Sequence, residues 1–175
     1  MPRAGLLFLL TLLACRRSTG PRQAGADELE AHWSDSAGGA VTLLAPAEAF
    51  WCARDTLLEV LAVHHDSAVG LALYARDSVR AEGYPLFQAS MFAPWRPQSA
   101  AAVRLLTATE LRGFESTWGQ VTVTEAGSSR VSGTFDVHLK RQAAGDSLHI
   151  TGRFTRVAVQ PAAASCGRAN KPRPR

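Results

Sequence analysis

A strict alternation of apolar and polar residues late in the chain constrains its fold more than any other feature. In "VSGTFDVHL", every second residue from Val131 to Leu139 is apolar or glycine. "SLHITGRF" repeats the pattern from Leu148 to Phe154. A period of two residues places successive side chains on opposite faces of a strand. The two stretches therefore predict an antiparallel hairpin with one buried face and one wet face.

The register of this hairpin brings three polar side chains together. If the loop places Arg141 opposite Asp146, then His138 lies opposite His149 on the wet face, and Asp136 lies one step along. Two imidazoles and a carboxylate are a ligand set for a transition metal. A solvated strand face explains the same residues and is the interpretation that the sequence favours, with the metal site as the alternative.

The alternation changes phase after Phe154, because Val157 and Val159 are the next apolar positions. A β-bulge near Thr155 and Arg156 would return these valines to the buried face.

Glycines and tryptophans complete the predicted core. Gly133 and Gly152 occupy inward positions, which indicates a bend or a large neighbour, and Trp118 is the candidate neighbour. We expect the tryptophans to be core or near-core residues rather than a sugar-binding platform, because aromatic side chains dominate core burial. The exception is Trp95, which lies between prolines and is expected to be exposed.

Other segments also have strand character. "TLLEVLAVHH" begins with a capping box that favours a helix, but the "HHDS" turn and the apolar "AVGLALYA" favour a hairpin, which we adopt. The predicted fold is all-β, a single antiparallel β-sandwich or barrel-like domain. The other predicted strands are Glu28–Trp33, Ala40–Leu44, Val103–Thr109 and Gln120–Ala126, and residues 84–100 are predicted to form an irregular loop.

The first residues have the pattern of an export signal. Arg3 precedes an apolar run of 11 residues, Ala4–Ala14, which is the length of a secretory signal and too short for a membrane span. The run ends in "LLAC", which resembles the lipobox of bacterial lipoproteins. The resemblance implies that Cys15 is diacylated and that cleavage occurs before it. The alternatives are simple secretion and a buried N-terminal helix.

The cysteine count agrees with an exported protein. The chain has three cysteines, and this odd number leaves at least one without a disulfide partner within the chain. If Cys15 carries lipid, Cys52 and Cys166 remain and would pair as a disulfide in an oxidising compartment. The alternative is two free thiols.

Charge argues against a nucleic-acid binder. The formal net charge is +4, but removing the seven basic residues of the two ends leaves −3 for the rest, so no basic face is expected. These residues are Arg3, Arg16, Arg17, Arg168, Lys171, Arg173 and Arg175. The Pro- and Arg-rich tail is predicted to be solvated and disordered, and a contact with a polyanion or the cell wall is the alternative.

A further resemblance concerns the final strands. "GQVTVTE", "SSRVSGTFDVHL" and "GDSLHITGRF" resemble the C-terminal hairpins of uncharacterised β-rich bacterial lipoproteins. This resemblance implies a fold and a location in the cell envelope. It implies no activity and no site residues. The lipobox resemblance adds a location: Arg16, rather than aspartate, follows the lipidated cysteine, which favours the outer membrane if the cell has one. The predicted segments are a signal peptide (1–14), a lipidated cysteine with its tether (15–26), a β domain (27–167) and a basic tail (168–175).

The functional prediction is correspondingly general. We expect a membrane-anchored extracytoplasmic lipoprotein that serves as a non-catalytic binding or envelope module. The alternative is an extracytoplasmic enzyme with site residues scattered over loops, since the sequence carries no nucleophile elbow, P-loop or HExxH motif. No cofactor is expected. The expected partners are the membrane, through the lipid, and an envelope protein or the cell wall. The sequence leaves the ligand and the oligomeric state open.

Overall fold

The structure, a computed structural model, describes residues 25, 27–34, 38–53, 55–87, 96–106, 110–141 and 145–161. These residues form nine β-strands and no helix. The strands are β1 (Glu28–Ser34), β2 (Ala40–Cys52), β3 (Leu57–His64), β4 (Ser67–Tyr74), β5 (Gly83–Pro85), β6 (Gln98–Leu106), β7 (Leu111–Ala126), β8 (Arg130–Lys140) and β9 (Ser147–Pro161).

Eight of the strands close into an antiparallel barrel. The hydrogen-bonded order runs β7-β6-β4-β3-β2-β1-β9-β8, and the pairing of β8 with β7 completes the circle. The short β5 is the extra strand, and it pairs with β7 beyond the segment of β7 that pairs with β6. Closure leaves no long unpaired edge. The all-β prediction is confirmed, and the barrel rather than the sandwich is the form observed.

Three long strands make the closure possible. β7, with 16 residues, pairs with β8 along one edge and shares its other edge between β6 and β5. β9, with 15 residues, runs antiparallel to β1 and then parallel to the end of β2. The 13-residue β2 bridges β1 and β3.

Side chains from all nine strands fill the barrel. One continuous cluster of buried residues contains most of the inward alanine, valine and leucine side chains, together with Phe114, Phe135 and Phe154. Tyr84 of β5 is fully buried, and its hydroxyl exchanges hydrogen bonds with the backbone of Arg80. Burial raises the pKa of this phenol. A barrel of eight strands has an interior of about the width that side chains can fill.

Glycine and phenylalanine alternate across the final hairpin. Gly133 pairs with Phe154, and Phe135 pairs with Gly152 two residues along each strand. A Cβ atom on either glycine would lie under 3.0 Å from the ring of its partner. The absence of a side chain on each glycine therefore leaves room for the phenylalanine ring of its partner to pack over it. The inward glycines are confirmed, but the neighbour is phenylalanine and not Trp118.

The predicted register and bulge of this hairpin are confirmed. His138 pairs with His149, and the backbone N–H of Arg141 donates to the carbonyl of Asp146 over 2.8 Å. Near Thr155 the register with β8 slips by one residue, and Arg156 takes a φ of 49°.

For the segments before the final hairpin, the predicted type of element is correct, but the observed strands extend further than predicted. The hairpin of β3 and β4 is present around a turn at His65 and Asp66, so the helical alternative is wrong. The strand predicted to end at Leu44 continues to Cys52. The segment 84–100 was predicted to be an irregular loop, but its first residues belong to β5, whose three residues are too few to show a period, and its last residues belong to β6.

Several predictions fall on residues outside the described part of the chain. They include the signal peptide, Cys15, Trp95, Cys166 and the basic tail. The domain boundaries at 14, 26 and 167 also stay predictions. The part of the chain that the structure describes contains no helix that could cross a lipid bilayer.

Candidate functional site: the polar face

Four neighbouring strands place polar side chains on one outer surface of the barrel. β7, β8, β9 and β1 lie side by side, and their registers align the outward residues in three rows across the strands. We call this surface the polar face. Its rows are Trp118, His138 and His149, then Gln120, Asp136, Thr151 and His32, then Thr122, Thr134, Arg153 and Glu30.

The second and third rows line a groove of about 590 Å³. Phe135 and Gly152 also line the groove, and Phe135 belongs to the packed core. The groove therefore has a rigid lining and polar walls. Its size lies within the range of ligand-binding clefts.

Ion pairs hold the walls of the groove in place. Arg153 bonds to Glu30 across the pair of β9 and β1. Glu30 also lies 3.2 Å from Nε2 of His32, whose Nδ1 lies 3.0 Å from the hydroxyl of Thr42. Side chains that already have partners lose less conformational entropy when a ligand binds.

The first row is a stack of three aromatic rings. The rings of Trp118 and His138 are stacked with centroids 3.6 Å apart and planes at 11°. His138 in turn stacks on His149, with centroids 4.1 Å apart and planes at 8°. The indole of Trp118 is 60% exposed, which makes it the most exposed large apolar side chain of the described residues.

An irregularity in β7 places Trp118 outside. The pairs Ser116–Leu139 and Trp118–His138 differ by one extra residue on β7, which is a β-bulge at Thr117. The hydroxyl of Thr117 donates to the carbonyl of His138 over 3.0 Å. Trp118 was predicted to lie in the core, and this prediction is wrong because the bulge reverses the alternation that begins at Phe114.

Gly119 allows β7 to approach β8 closely beside the indole. Its φ is 129°, and a Cβ atom there would lie under 3.0 Å from the backbone of Asp136 and Val137. Only glycine adopts this conformation without strain. The close approach to β8 therefore explains why glycine follows Trp118.

The three predicted metal-ligand candidates come together. Nε2 of His149 lies 2.8 Å from Oδ1 of Asp136, and one ligand atom from each of Asp136, His138 and His149 lies within 4.8 Å of the others. The side chains of Asp136 and His149 are 67% and 51% exposed, so their ion pair contributes little to stability. The solvated face that the sequence favoured is correct for these two residues, whereas His138 is half-buried beneath its neighbours.

The remaining predicted residues are placed only in part. Cys52 ends β2 and is 3% exposed, while Cys166 lies outside the described residues, so the disulfide stays a prediction. His64 and His65 form an edge-to-face pair at the β3–β4 turn, as expected for a polar turn.

A second cavity, of about 660 Å³, opens at one end of the barrel. It is lined on the core side by Leu43, Phe114 and Leu148, so this cavity is an opening at the surface above a filled interior. Its rim includes Arg112 and Asp146. An ion-pair network lies at this end of the barrel.

Glu110 is the centre of this network. Its carboxylate accepts hydrogen bonds from Arg112 at 2.7 Å and from Arg141 at 2.9 Å. These bonds hold the pKa of the Glu110 carboxyl below its ordinary value of 4.5, and the same contact raises the pKa of Arg141.

Replacing Glu110 with glutamine tests this network by its pH dependence. A carboxyl whose pKa is lowered by folding contributes stability above its unfolded pKa and loses it as pH falls through the folded pKa. Wild type should therefore have the higher urea midpoint at pH 6, and its advantage over Glu110→Gln should shrink as pH falls below 4.5, because the folded pKa lies below that value. Glu48→Gln, at an exposed position, is the control and should show no such convergence. A difference between wild type and Glu110→Gln that stays constant from pH 6 to pH 3 would contradict the assignment.

Comparison with known proteins finds no family model, no curated protein and no solved structure that matches this chain.

Proposed function

We propose that this protein is a non-catalytic binding module of the cell envelope, held at the membrane by a lipid on Cys15, and that its polar face binds a glycan of the cell wall. The observation that carries the proposal is the exposed platform of Trp118 beside a polar groove on a rigid sheet. The filled core supports a ligand site on the outside of the barrel rather than inside it.

The chemistry of the face matches that of a sugar chain. A sugar presents hydroxyl groups that donate and accept hydrogen bonds, and it also presents apolar C–H surfaces. Carboxylate, guanidinium, amide and hydroxyl groups line the groove and can bond to such hydroxyls. The exposed indole offers a flat apolar surface at low entropic cost.

The groove also fits a polymer better than a small enclosed ligand. Its lining residues all come from four neighbouring strands, β7, β8, β9 and β1, rather than from loops. A chain of sugars could therefore lie across the strands and continue beyond the face. Positions on strands are held more rigidly than positions on loops.

The proposed anchor would bring this face close to the wall. The 12 residues between Cys15 and β1 would span roughly 17–21 Å if they formed a flexible coil. The lipid would supply firm membrane attachment. A disulfide between Cys52 and Cys166 would join the end of β2 to the segment beyond β9, and the parallel pairing of these strands supports this proposal.

Labelling with radioactive palmitate in the producing cells tests the anchor. Wild type should incorporate the label, and Cys15→Ser should not, because the thiol is the attachment point. Cys52→Ser is the matched control and should be labelled like wild type. Equal labelling of wild type and Cys15→Ser, or labelling of neither, would contradict the anchor.

Co-sedimentation with purified insoluble cell wall tests the ligand. The full chain, purified in detergent, should sediment with the wall, and Trp118→Ala should bind roughly tenfold more weakly or worse, as is typical of a central aromatic contact. Leu61→Ala, which removes an exposed apolar side chain of β3, is the control and should bind like wild type. Sedimentation of Trp118→Ala equal to that of wild type would contradict the site.

Two further outcomes would contradict the proposal in distinct ways. If removal of residues 168–175 abolishes sedimentation while Trp118→Ala preserves it, the basic tail is the contact. If the wall glycan is recovered shortened after incubation with wild type, the protein is an enzyme rather than a binding module.

A further inference from the structure

We propose that Asp136, His138 and His149 form a binding site for a divalent transition-metal ion, with Cu²⁺ bound most tightly. The three side chains project from the same face of the β8–β9 pair. One ligand atom of each lies within 4.8 Å of the others. This inference goes beyond the proposed function, because it needs neither the glycan nor the lipid anchor.

The ligand set determines the class of ion. Imidazole nitrogens suit Cu²⁺, Ni²⁺ and Zn²⁺, whereas Mg²⁺ and Ca²⁺ require a set dominated by oxygen. For a given site with nitrogen and oxygen ligands, affinity rises from Ni²⁺ to Cu²⁺ and falls again at Zn²⁺. The two histidines and one carboxylate leave further coordination positions open to water.

The backbone holds the ligands at a suitable spacing. His138 and His149 are a directly opposed pair, and Asp136 lies two residues before His138 on the same face. The intervening residue, Val137, is fully buried and pairs with the fully buried Ile150. The Cα positions of the site are therefore anchored by the core, and only side chains on the outer face of the barrel need to move.

Metal binding must open the ring stack. Bonds of about 2.0–2.1 Å from a metal to nitrogen place neighbouring ligand atoms roughly 3.3 Å apart in a tetrahedral site. The lone pairs of two parallel stacked imidazoles point along their own planes and do not converge on one ion. His138 must rotate away from Trp118 to reach the ion, and rotation of side chains at a protein surface is fast.

The fluorescence of Trp118 should therefore show whether the site holds a metal ion. The indole stacks directly on His138, at a centroid distance of 3.6 Å. When His138 turns toward a metal, this contact is lost and the environment of the indole changes. Trp118 emission should consequently change with Ni²⁺ or Zn²⁺ as well as with Cu²⁺, which also quenches fluorescence directly.

Calorimetric titration of the full chain tests the proposal. The protein is purified in detergent without a polyhistidine tag, treated with EDTA and titrated separately with CuCl₂, NiCl₂, ZnCl₂ and MgCl₂. The expected result is saturable binding near one equivalent, with Cu²⁺ tightest and Mg²⁺ not competing. His138→Ala and His149→Ala should each weaken Cu²⁺ binding by roughly tenfold or more, because each removes one ligand.

Matched variants separate this site from adventitious binding. His64→Ala and His65→Ala remove the other adjacent pair of histidines, at the β3–β4 turn, and should bind Cu²⁺ like wild type. Trp118→Phe should keep the affinity but lose the emission change on Ni²⁺ or Zn²⁺ binding. His138→Gln and His149→Gln repeat the test at near-native volume if either alanine variant loses its β-sheet circular dichroism.

Three results would overturn the site. They are unchanged Cu²⁺ affinity in the His138 and His149 variants, a loss of affinity in the His64 or His65 variants equal to theirs, and absence of saturable binding by wild type. None of them depends on whether the wall glycan binds. Failure of wall binding with intact metal binding would overturn only the proposed function.

Discussion

Replacing Phe135 with alanine is expected to lower the free energy of unfolding by about 3–5 kcal/mol, the usual cost of removing a buried phenylalanine. The ring is 3% exposed and lies over Gly152, its partner on β9. Because glycine has no side chain, the neighbour cannot expand into the space left by the ring. The cost should therefore lie toward the upper end of the range, which is a large share of a typical domain stability.

Urea titration measures this loss, and Thr134→Ala is the matched control. Thr134 is the preceding residue of β8 and points outward, so its removal should change stability by roughly 0.5 kcal/mol or less. Equal losses in the two variants would mean that the register of β8 is wrong. A slip of one residue would exchange every inward and outward side chain of the strand.

Replacing Gly152 with alanine is expected to have a comparably large effect by the opposite mechanism. The added Cβ would lie under 3.0 Å from the carbonyl oxygen of Glu30 and from the ring of Phe135. The backbone of β1 cannot yield without breaking its pairing with β9. We expect a loss of about 3 kcal/mol or more, at the high end for overpacking of a core.

Gly113→Ala is the control for Gly152→Ala. A Cβ on Gly113 would meet no atom within 4 Å, and its φ is not in the left-handed region. The substitution should therefore be neutral or stabilise by up to about 1 kcal/mol, because it restricts the unfolded chain. Thermal unfolding of both variants decides the point. A Gly152→Ala protein as stable as wild type would contradict the packing of β9 against β1.

Local alternation predicted the final hairpin well because each strand there has one face in the core and one in water. The pairing of His138 with His149 and the bulge near Thr155 both follow from the apolar positions of a single hairpin. Closure of the barrel does not. It depends on β8 returning to β7 and on β9 passing from β1 to β2, which are contacts between distant segments. No local pattern encodes those contacts.

The candidate site was predicted only in part for a related reason. The three ligand candidates share one face of one hairpin, so the alternation of inward and outward residues was enough to predict that they lie close together. Trp118 belongs to the neighbouring strand, where the bulge at Thr117 changes parity between Phe114 and Val121. A bulge adds one residue without a distinctive sequence, although the unusual φ of Gly119 explains why glycine follows the tryptophan. The groove beside Trp118 also requires β1, whose residues Glu30 and His32 lie more than a hundred residues before their partners on β9.

The polar face combines two chemistries that can be separated by mutation. The indole of Trp118 serves the proposed glycan site, and the side chains of His138 and His149 serve the proposed metal site. The stack of these three rings couples them, because rotation of His138 toward a metal changes the surface beneath the indole. Metal and glycan should therefore alter each other's affinity by the same factor, as thermodynamic linkage requires.

The central claim is that ligand binding occurs on the outer face of β7, β8, β9 and β1, and amide chemical-shift mapping tests it most directly. Isotope-labelled full chain in detergent would be titrated with soluble glycan fragments of the cell wall. We predict saturable shifts concentrated at Trp118, Gln120, Asp136, Thr151 and Arg153, with residues 57–74 of the opposite wall unchanged. Shifts centred on residues 57–74, or no shifts at saturating fragment, would contradict the account.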